Sequence, residues 1–274
     1  MEPWAIMPTK LDEIGGLLDR HVRGDLDLTE MGISFEDDDD GGEPWKGYDL
    51  HGSVAVVKCH GVIGKRLGWL EMMCGGCDVD QLVSSLRAAQ EDPDVRAIVI
   101  DIDSPGGTIT GTPEAADAIE EISSEIPVIA FTETMMCSAA YWLGCSASEL
   151  IVSRSSTVGS IGVIIAGVDD SERWKALGMK SQIFKSGELK DTGRSGNKWR
   201  DEHKQFLQDS VNKSFADFRD HVLRHRPGVP ADAMTGGWYS GADIKTHHLA
   251  DGFASTLGSL LAEMNAEFDM PQTL

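Results

Sequence analysis

The chain has 274 residues, 41% hydrophobic and 25% charged, with 30 Gly and 10 Pro; this is enough length and apolar side chain for one large or two small domains and excludes wholesale disorder. Against 24 Lys and Arg stand 45 Asp and Glu, a formal charge of -21, and such a field repels phosphate backbones and anionic headgroups, which excludes sequence-independent nucleic-acid binding. Five cysteines and no signal-peptide pattern over residues 1–20 point to a reducing, cytoplasmic setting without a disulfide framework, and the longest apolar runs fall short of the roughly 18 residues of a membrane span.

Near the start, Trp4, Ile6, Leu11, Ile14, Leu17 and Leu18 recur at near-helical spacing and predict one amphipathic helix within residues 1–35. Asp37 to Asp40, followed by Gly41 and Gly42, combines like-charge repulsion with glycine flexibility and reads as a solvated linker over residues 36–47. From Tyr48 the pattern alternates. Val54 to Lys58 predicts a strand, Val79 to Gln90 a helix, Arg96 to Ile102 a buried strand, Thr112 to Ile122 a helix and Pro127 to Thr132 another strand. A short helix from Ser138 to Ala147, strands at Leu150 to Val152, Ile161 to Val168 and Ser181 to Phe184, and a helix at Glu172 to Leu177 continue it. Trp199 to His225 predicts a long amphipathic helix ended by Pro227 and Gly228. Strand and helix in alternation define an α/β chain with a mostly parallel sheet. The main domain spans residues 48–256, and residues 257–274 form a C-terminal helix or tail.

Three places carry candidate chemistry. Strand Ala97 to Ile102 runs into Asp103-Ser-Pro-Gly-Gly107, where two glycines let the backbone turn with free N–H groups at the sheet edge. Such amides hold an oxyanion in one reading and make an ordinary strand-to-helix turn in the other. Strand Pro127 to Thr132 leads to Ser138 among small residues at a helix start, where a serine is either a nucleophile above the sheet or a helix cap. Cys137 competes as nucleophile, although beside Met136 it reads as a core thiol. A serine needs a base. Of eight histidines, His60 stands nearest a motif and reads as a strand-end residue. The alternative is a lysine held neutral by its surroundings; Lys190, after a strand and a glycine turn, is either that base or a solvated charge. Cys74-Gly-Gly-Cys77 lacks the second pair that a structural zinc needs, so no metal or other cofactor is expected. The apolar loop Leu67 to Cys77 reads as core, or as an interface or substrate-groove loop.

These signals occur together in one order. Asp103-Ser-Pro-Gly-Gly107, Ser138-Ala-Ala-Tyr-Trp142, Thr157-Val-Gly-Ser-Ile-Gly-Val163 and Ser186-Gly-Glu-Leu-Lys-Asp191, with the opening Pro3-Trp-Ala-Ile6, resemble the signal peptide peptidase A family of serine proteases, most closely its phage head maturation members. The resemblance implies a ClpP/crotonase-like fold and a Ser-Lys dyad, with Ser138 as nucleophile and Lys190 as general base. It further implies an oxyanion hole from the Gly107 and Ala139 amides supported by Gly106, and a Ser160 hydroxyl that orients the lysine. Lys185 is the competing lysine, but the Gly-x-x-Lys-Asp context favours Lys190. Met135, Ala139 and Ile161 are the expected pocket, suited to small or apolar side chains.

The partners implied are polypeptides, capsid and scaffold proteins foremost, and further copies of the chain in a ring-like homo-oligomer, acting in the host cytoplasm or the procapsid. No nucleic acid or integral membrane segment is expected. The competing functions are a cellular protease of the same family acting on signal peptides or membrane-protein fragments, and a catalytically silent assembly protein. A crotonase-type acyl-CoA enzyme would share the architecture without needing Ser138 and Lys190.

Overall fold

The structure is a computed structural model that describes residues 3–7, 46–68, 71–72 and 75–269. The acidic run Asp37 to Asp40, most of the predicted N-terminal helix, and Trp69, Leu70, Met73 and Cys74 lie outside these. Strand β1 is Trp4–Ile6; β2 (Asp49–His51), β3 (Val54–His60), β4 (Ile63–Gly64) and β5 (Cys77–Asp78) precede helix α1 (Val79–Glu91). Strands β6 (Ala97–Asp103) and β7 (Gly106–Thr108) lead to α2 (Thr112–Ser123), then β8 (Val128–Thr132), β9 (Met135–Cys137) and α3 (Ala139–Gly144). β10 (Glu149–Val152), β11 (Thr157–Gly159), α4 (Ser171–Ala176) and the 25-residue α5 (Asp201–His225) follow. The last elements are β12 (Trp238–Ser240), α6 (Ile244–His247), β13 (Gly252–Phe253) and α7 (Leu257–Asp269).

The main sheet runs β13-β10-β8-β6-β3-β2, parallel throughout except for the β2–β3 pair. It is the α/β, mostly parallel arrangement predicted from strand and helix alternation. β3 and β6 are β-branched and register from Val54 opposite Ala97 to His60 opposite Asp103. Their alternate residues feed two cores, as expected of strands covered on both faces. Ala55, Val57, Ile98, Ile100 and Ile102 meet Leu82 and Leu86 of α1 and Ile119 of α2 in one cluster. Val54, Val56, Ala97, Val99, Ile129 and Phe131 meet Leu260, Leu261 and Met264 of α7 in the other. Two small sheets, β1-β7-β4-β5 and β12-β11-β9, extend the strands beyond the ends of β6 and β8.

Three predicted elements differ. Trp4 and Ile6 lie in a strand, because three residues with pairing partners on an open edge gain more from a ladder than from an isolated helical turn. Ile161 to Val168 is irregular apart from one bridge at Ile164, and the strand there is β11, after which Ser160 turns the chain at φ 52°. Ser181 to Phe184 forms no strand; Phe184 is 97% exposed, and among the described residues the segment pairs with no strand edge.

Helix α5 packs through Phe218, which stacks on Trp142 of α3 with ring centroids 4.6 Å apart. One turn on, His221 is buried and shares a 2.8 Å hydrogen bond with the Ser146 hydroxyl. Burial, then the neighbouring His225 and Arg224, hold the His221 imidazole down at about 4. A histidine neutral in the fold and ordinary when unfolded contributes stability that is present above pH 6.5 and is lost as the pH falls toward 4. Denaturant melts should therefore show unfolding free energy declining across that window, and His221→Gln should flatten part of the decline. An unchanged pH dependence in the variant would sink this assignment.

Candidate active site

The site is built where β8 ends and the chain steps through β9 into α3. β9 pairs in parallel with β11, Cys137 opposite Gly159. Ser104 clamps β9 from the other side, donating its N–H to the Met135 carbonyl at 2.9 Å and accepting from Cys137 N–H at 3.1 Å. The next residue, Ser138, is fully buried and sits at φ 57°, ψ -117°, a strained conformation for a residue with a Cβ. Its N–H donates to the Gly159 carbonyl at 2.7 Å and its carbonyl accepts the Trp142 N–H at 2.9 Å. The hydroxyl caps nothing in α3 and donates instead to the Gly162 carbonyl at 3.4 Å. The helix-cap reading of Ser138 therefore fails: a strained serine on a strand-to-helix turn, its hydroxyl held only by one long contact outside the helix, has the placement that a nucleophile elbow requires.

Cys137 does not compete. Burial pushes its thiol up to about 12, and the sulfur faces the Thr157 carbonyl at 3.6 Å. Cys137→Ala should leave any hydrolytic rate within about threefold of the native protein, since surface and small buried changes outside the chemistry rarely do more. A loss as large as that caused by removing Ser138 would transfer the nucleophile to the thiol.

The glycine turn lies against the serine. Ser104 donates its hydroxyl to the Gly61 carbonyl at 2.6 Å and accepts the Gly106 N–H at 3.1 Å, which locks the turn. Gly106 has φ 100°, and a Cβ there would stand 2.9 Å from both the Cys137 carbonyl oxygen and Ser138 Cβ. Gly107 pairs with Ile63 of β4 on one side and Ala5 of β1 on the other. Ala139 is the first residue of α3, so its buried N–H has no acceptor within the helix. Gly106 thus adjoins Ser138, whose chain neighbour Ala139 opens α3. Ser160 is buried and follows Gly159, whose carbonyl accepts the Ser138 N–H; its own N–H is held by the Gly237 carbonyl at 2.7 Å. Of the expected pocket residues, Met135 is half-buried in β9 and Ile161 is fully buried in the core.

Lys190 is exposed on the turn after Gly187, and its amine is not within hydrogen-bond distance of Ser138. Lys185 is committed elsewhere, donating to Asp191 at 2.6 Å and to the Glu188 carbonyl at 2.9 Å. Asp191 also meets Arg200 at 3.3 Å and the buried His203 at 3.2 Å, and the Lys185 hydrogen bond holds its carboxyl below the usual range. Lys190 is left outside this knot. His60 pairs with Asp101 at 2.9 Å, which raises its pKa and fits a strand-end histidine. Sequence reasoning missed Ser104, although it stands inside the Asp103-to-Gly107 motif, and the Gly162 carbonyl, which only the tertiary turn after Ser160 reveals. Among the described residues no cluster of metal-ligating side chains occurs and no helix is long and apolar enough to cross a membrane.

Residues 120–269 match Peptidase family S49, and the chain belongs to that family. The span includes Ser138, Ser160 and Lys190, and membership agrees with the resemblance read from the motifs. Among curated relatives, the head-tail preconnector protein GP5 of Enterobacteria phage P21 is 31% identical over 72% of this chain and 39% of its own length. Capsid assembly protease C of Escherichia phage lambda is 29% identical over 67% of this chain and 43% of its own. The chain therefore spans about two-fifths of the length of either relative. A solved structure, the 1510-N membrane-bound stomatin-specific protease in complex with a substrate peptide, aligns with a TM-score of 0.46 at 14% identity, covering 76% of this chain and 78% of that one.

Proposed function

We propose that the chain is a serine endopeptidase that processes capsid or scaffold polypeptides during phage head maturation, with Ser138 as nucleophile and Lys190 as base. The observation that carries this reading is Ser138 itself: a buried, strained serine whose hydroxyl is left out of the helix cap and whose Cβ stands against Gly106. The Lys190 amine takes the hydroxyl proton as the oxygen attacks the peptide carbonyl. The oxyanion rests on the Gly107 and Ala139 amides, the lysine returns its proton to the leaving amine, and water releases the acyl group. Ser160 positions the amine. The phage relatives support the capsid substrate, and the chain acts where those proteins assemble, in the host cytoplasm or the procapsid.

The exposed position of Lys190 gives assembly a part in this mechanism. Its segment also exposes Val168, Leu177, Met179 and Phe184, large apolar side chains suited to burial against another copy. In the ring-like homo-oligomer, that contact brings a Lys190 amine onto Ser138. Product mapping by mass spectrometry tests the reading, using a denatured general substrate and capsid and scaffold proteins, with monomeric and assembled fractions assayed apart. Discrete fragments from the assembled fraction are expected. A native protein that cuts nothing in either fraction overturns the endopeptidase reading in favour of an assembly role.

A further inference from the structure

The groove beside Ser138 is filled by the chain's own N-terminal strand. β1 lies antiparallel on β7, with Ala5 opposite Gly107 and Ile6 opposite Gly106. Met7 donates to the Pro105 carbonyl at 2.9 Å, and Ile109 donates to the Pro3 carbonyl at 3.3 Å. Hydrogen-bonded pairs recur at every second residue of an antiparallel ladder, so Ala5 and Gly107 form the bonded pair between these two. The Gly107 N–H, assigned above to the oxyanion, thus faces the Ala5 carbonyl. That same carbonyl oxygen lies 2.2 Å from where a Gly106 Cβ would be, a point 2.9 Å from Ser138 Cβ. On its other edge, Trp4 exchanges two bonds with Ile164, at 2.9 Å and 2.8 Å. Ile164 is two residues beyond Gly162, the acceptor of the Ser138 hydroxyl.

An extended segment bonded along both edges, with one carbonyl turned to an oxyanion amide beside a serine, is placed as an added strand of substrate would be. β1 has three residues, belongs to no part of the main sheet, and is separated in sequence from the rest of the described fold by residues 8–45. Ala5, Ile6 and Met7 are nonetheless buried, and Ala5 packs in the main core cluster. We infer that β1 occupies the substrate-strand site, with Ala5 in the place of the residue that donates the acyl group. This inference rests on the protease reading and deepens it. The substrate is an extended polypeptide with alanine or a similarly small residue before the cut, and it must displace β1 to reach Ser138. With no base on Ser138 in this arrangement, the bond between Ala5 and Ile6 stays whole and the strand acts as a built-in competitor.

The test separates binding from cleavage. In Ser138→Ala protein, a fluorescein-labelled Pro-Trp-Ala-Ile-Met peptide should bind at least about tenfold more tightly, by fluorescence anisotropy, once residues 1–7 are deleted, because an occupied site lowers apparent affinity by the fraction blocked. If the deletion does not fold, as judged by circular dichroism, a site-specific protease sequence inserted in Asp37 to Gly42 and cut after folding, with the released N-terminal fragment removed, frees the site instead. Replacing the peptide's alanine by phenylalanine should weaken binding about tenfold. Equal binding to blocked and unblocked protein, or none to a folded unblocked one, overturns the inference whatever the catalytic outcome. Tight binding only after removal of β1, with no cleavage by the Ser138-bearing form, upholds the strand site and removes the endopeptidase reading alone.

Discussion

On the proposed mechanism, Ser138→Ala should lower the cleavage rate by about 10⁴-fold or more, because a nucleophile that works with its base as a unit takes nearly all covalent catalysis with it. The neighbours supply no ready substitute: Cys137 is buried with its thiol pushed up to about 12, and the Ser104 hydroxyl is committed to the Gly61 carbonyl and the Gly106 N–H. What remains is the small contribution of the amides and of binding. Initial rates on one denatured substrate, with fragments identified by mass, check this; a variant within tenfold of the native protein would falsify the assignment. Ser138→Gly separates chemistry from strain. At φ 57° a glycine removes the conformational penalty that a side chain incurs, so this variant should be inactive yet more resistant to denaturant by about 1 kcal/mol. A serine that held its place for stability would give the opposite sign.

Gly107→Ala is the second large effect. A Cβ at this position would come 1.8 Å from the Ile63 carbonyl oxygen and 2.6 Å from the Ile63 nitrogen. Both are backbone atoms of β4, which is itself tied to β5, so no side-chain movement relieves the clash. β7 must part from β4, and the Gly107 amide, the proposed oxyanion donor, shifts with it. Loss of one oxyanion donor costs about 10² to 10³ in turnover, and the parted strands should lower the melting temperature as well. Gly187→Ala is the control. Its φ of 88° makes alanine uncomfortable, but nothing lies within 4 Å of the added carbon, so only about 1 kcal/mol of stability should go, by the usual cost of a left-handed alanine. If both variants keep full activity, the amide of Gly107 is not part of the site.

Most of the main sheet was legible because its strands are local statements. Val54 to Lys58 and Arg96 to Ile102 are β-branched runs flanked by polar turns, and each forms within a residue or two of its predicted limits. The short elements were not. Trp4 and Ile6 suit either period over three residues, and the choice was made by an edge more than a hundred positions away, at Gly106 to Thr108. Ile161 to Val168 reads as a strand by composition, yet only Ile164 finds a partner. The approach of Ser138 to the Gly106 turn was legible in part because both segments follow the carboxyl ends of predicted strands, where parallel sheets expose their loops. The relation of Lys190 to Ser138 was not, since a loop lysine's reach depends on how a long irregular segment settles. Ser146 with His221 shows the same blindness: the pair is 75 positions apart and neither residue belongs to a motif.

The helix Leu257–Asp269 closes one face of the main sheet, and Asn265 fastens it by donating to the His51 carbonyl and accepting the Ser53 N–H. β3, β6 and β8 are all made long before it. While a ribosome is still adding the intervening chain, Val54, Val56, Ala97, Val99, Ile129 and Phe131 present a bare apolar face that chaperones can hold. Synthesis therefore imposes an order of its own: this face stays uncovered until Leu257–Asp269 has emerged, so the sheet that carries the Ser138 turn is sealed from the C-terminal side of the chain, well after its strands exist.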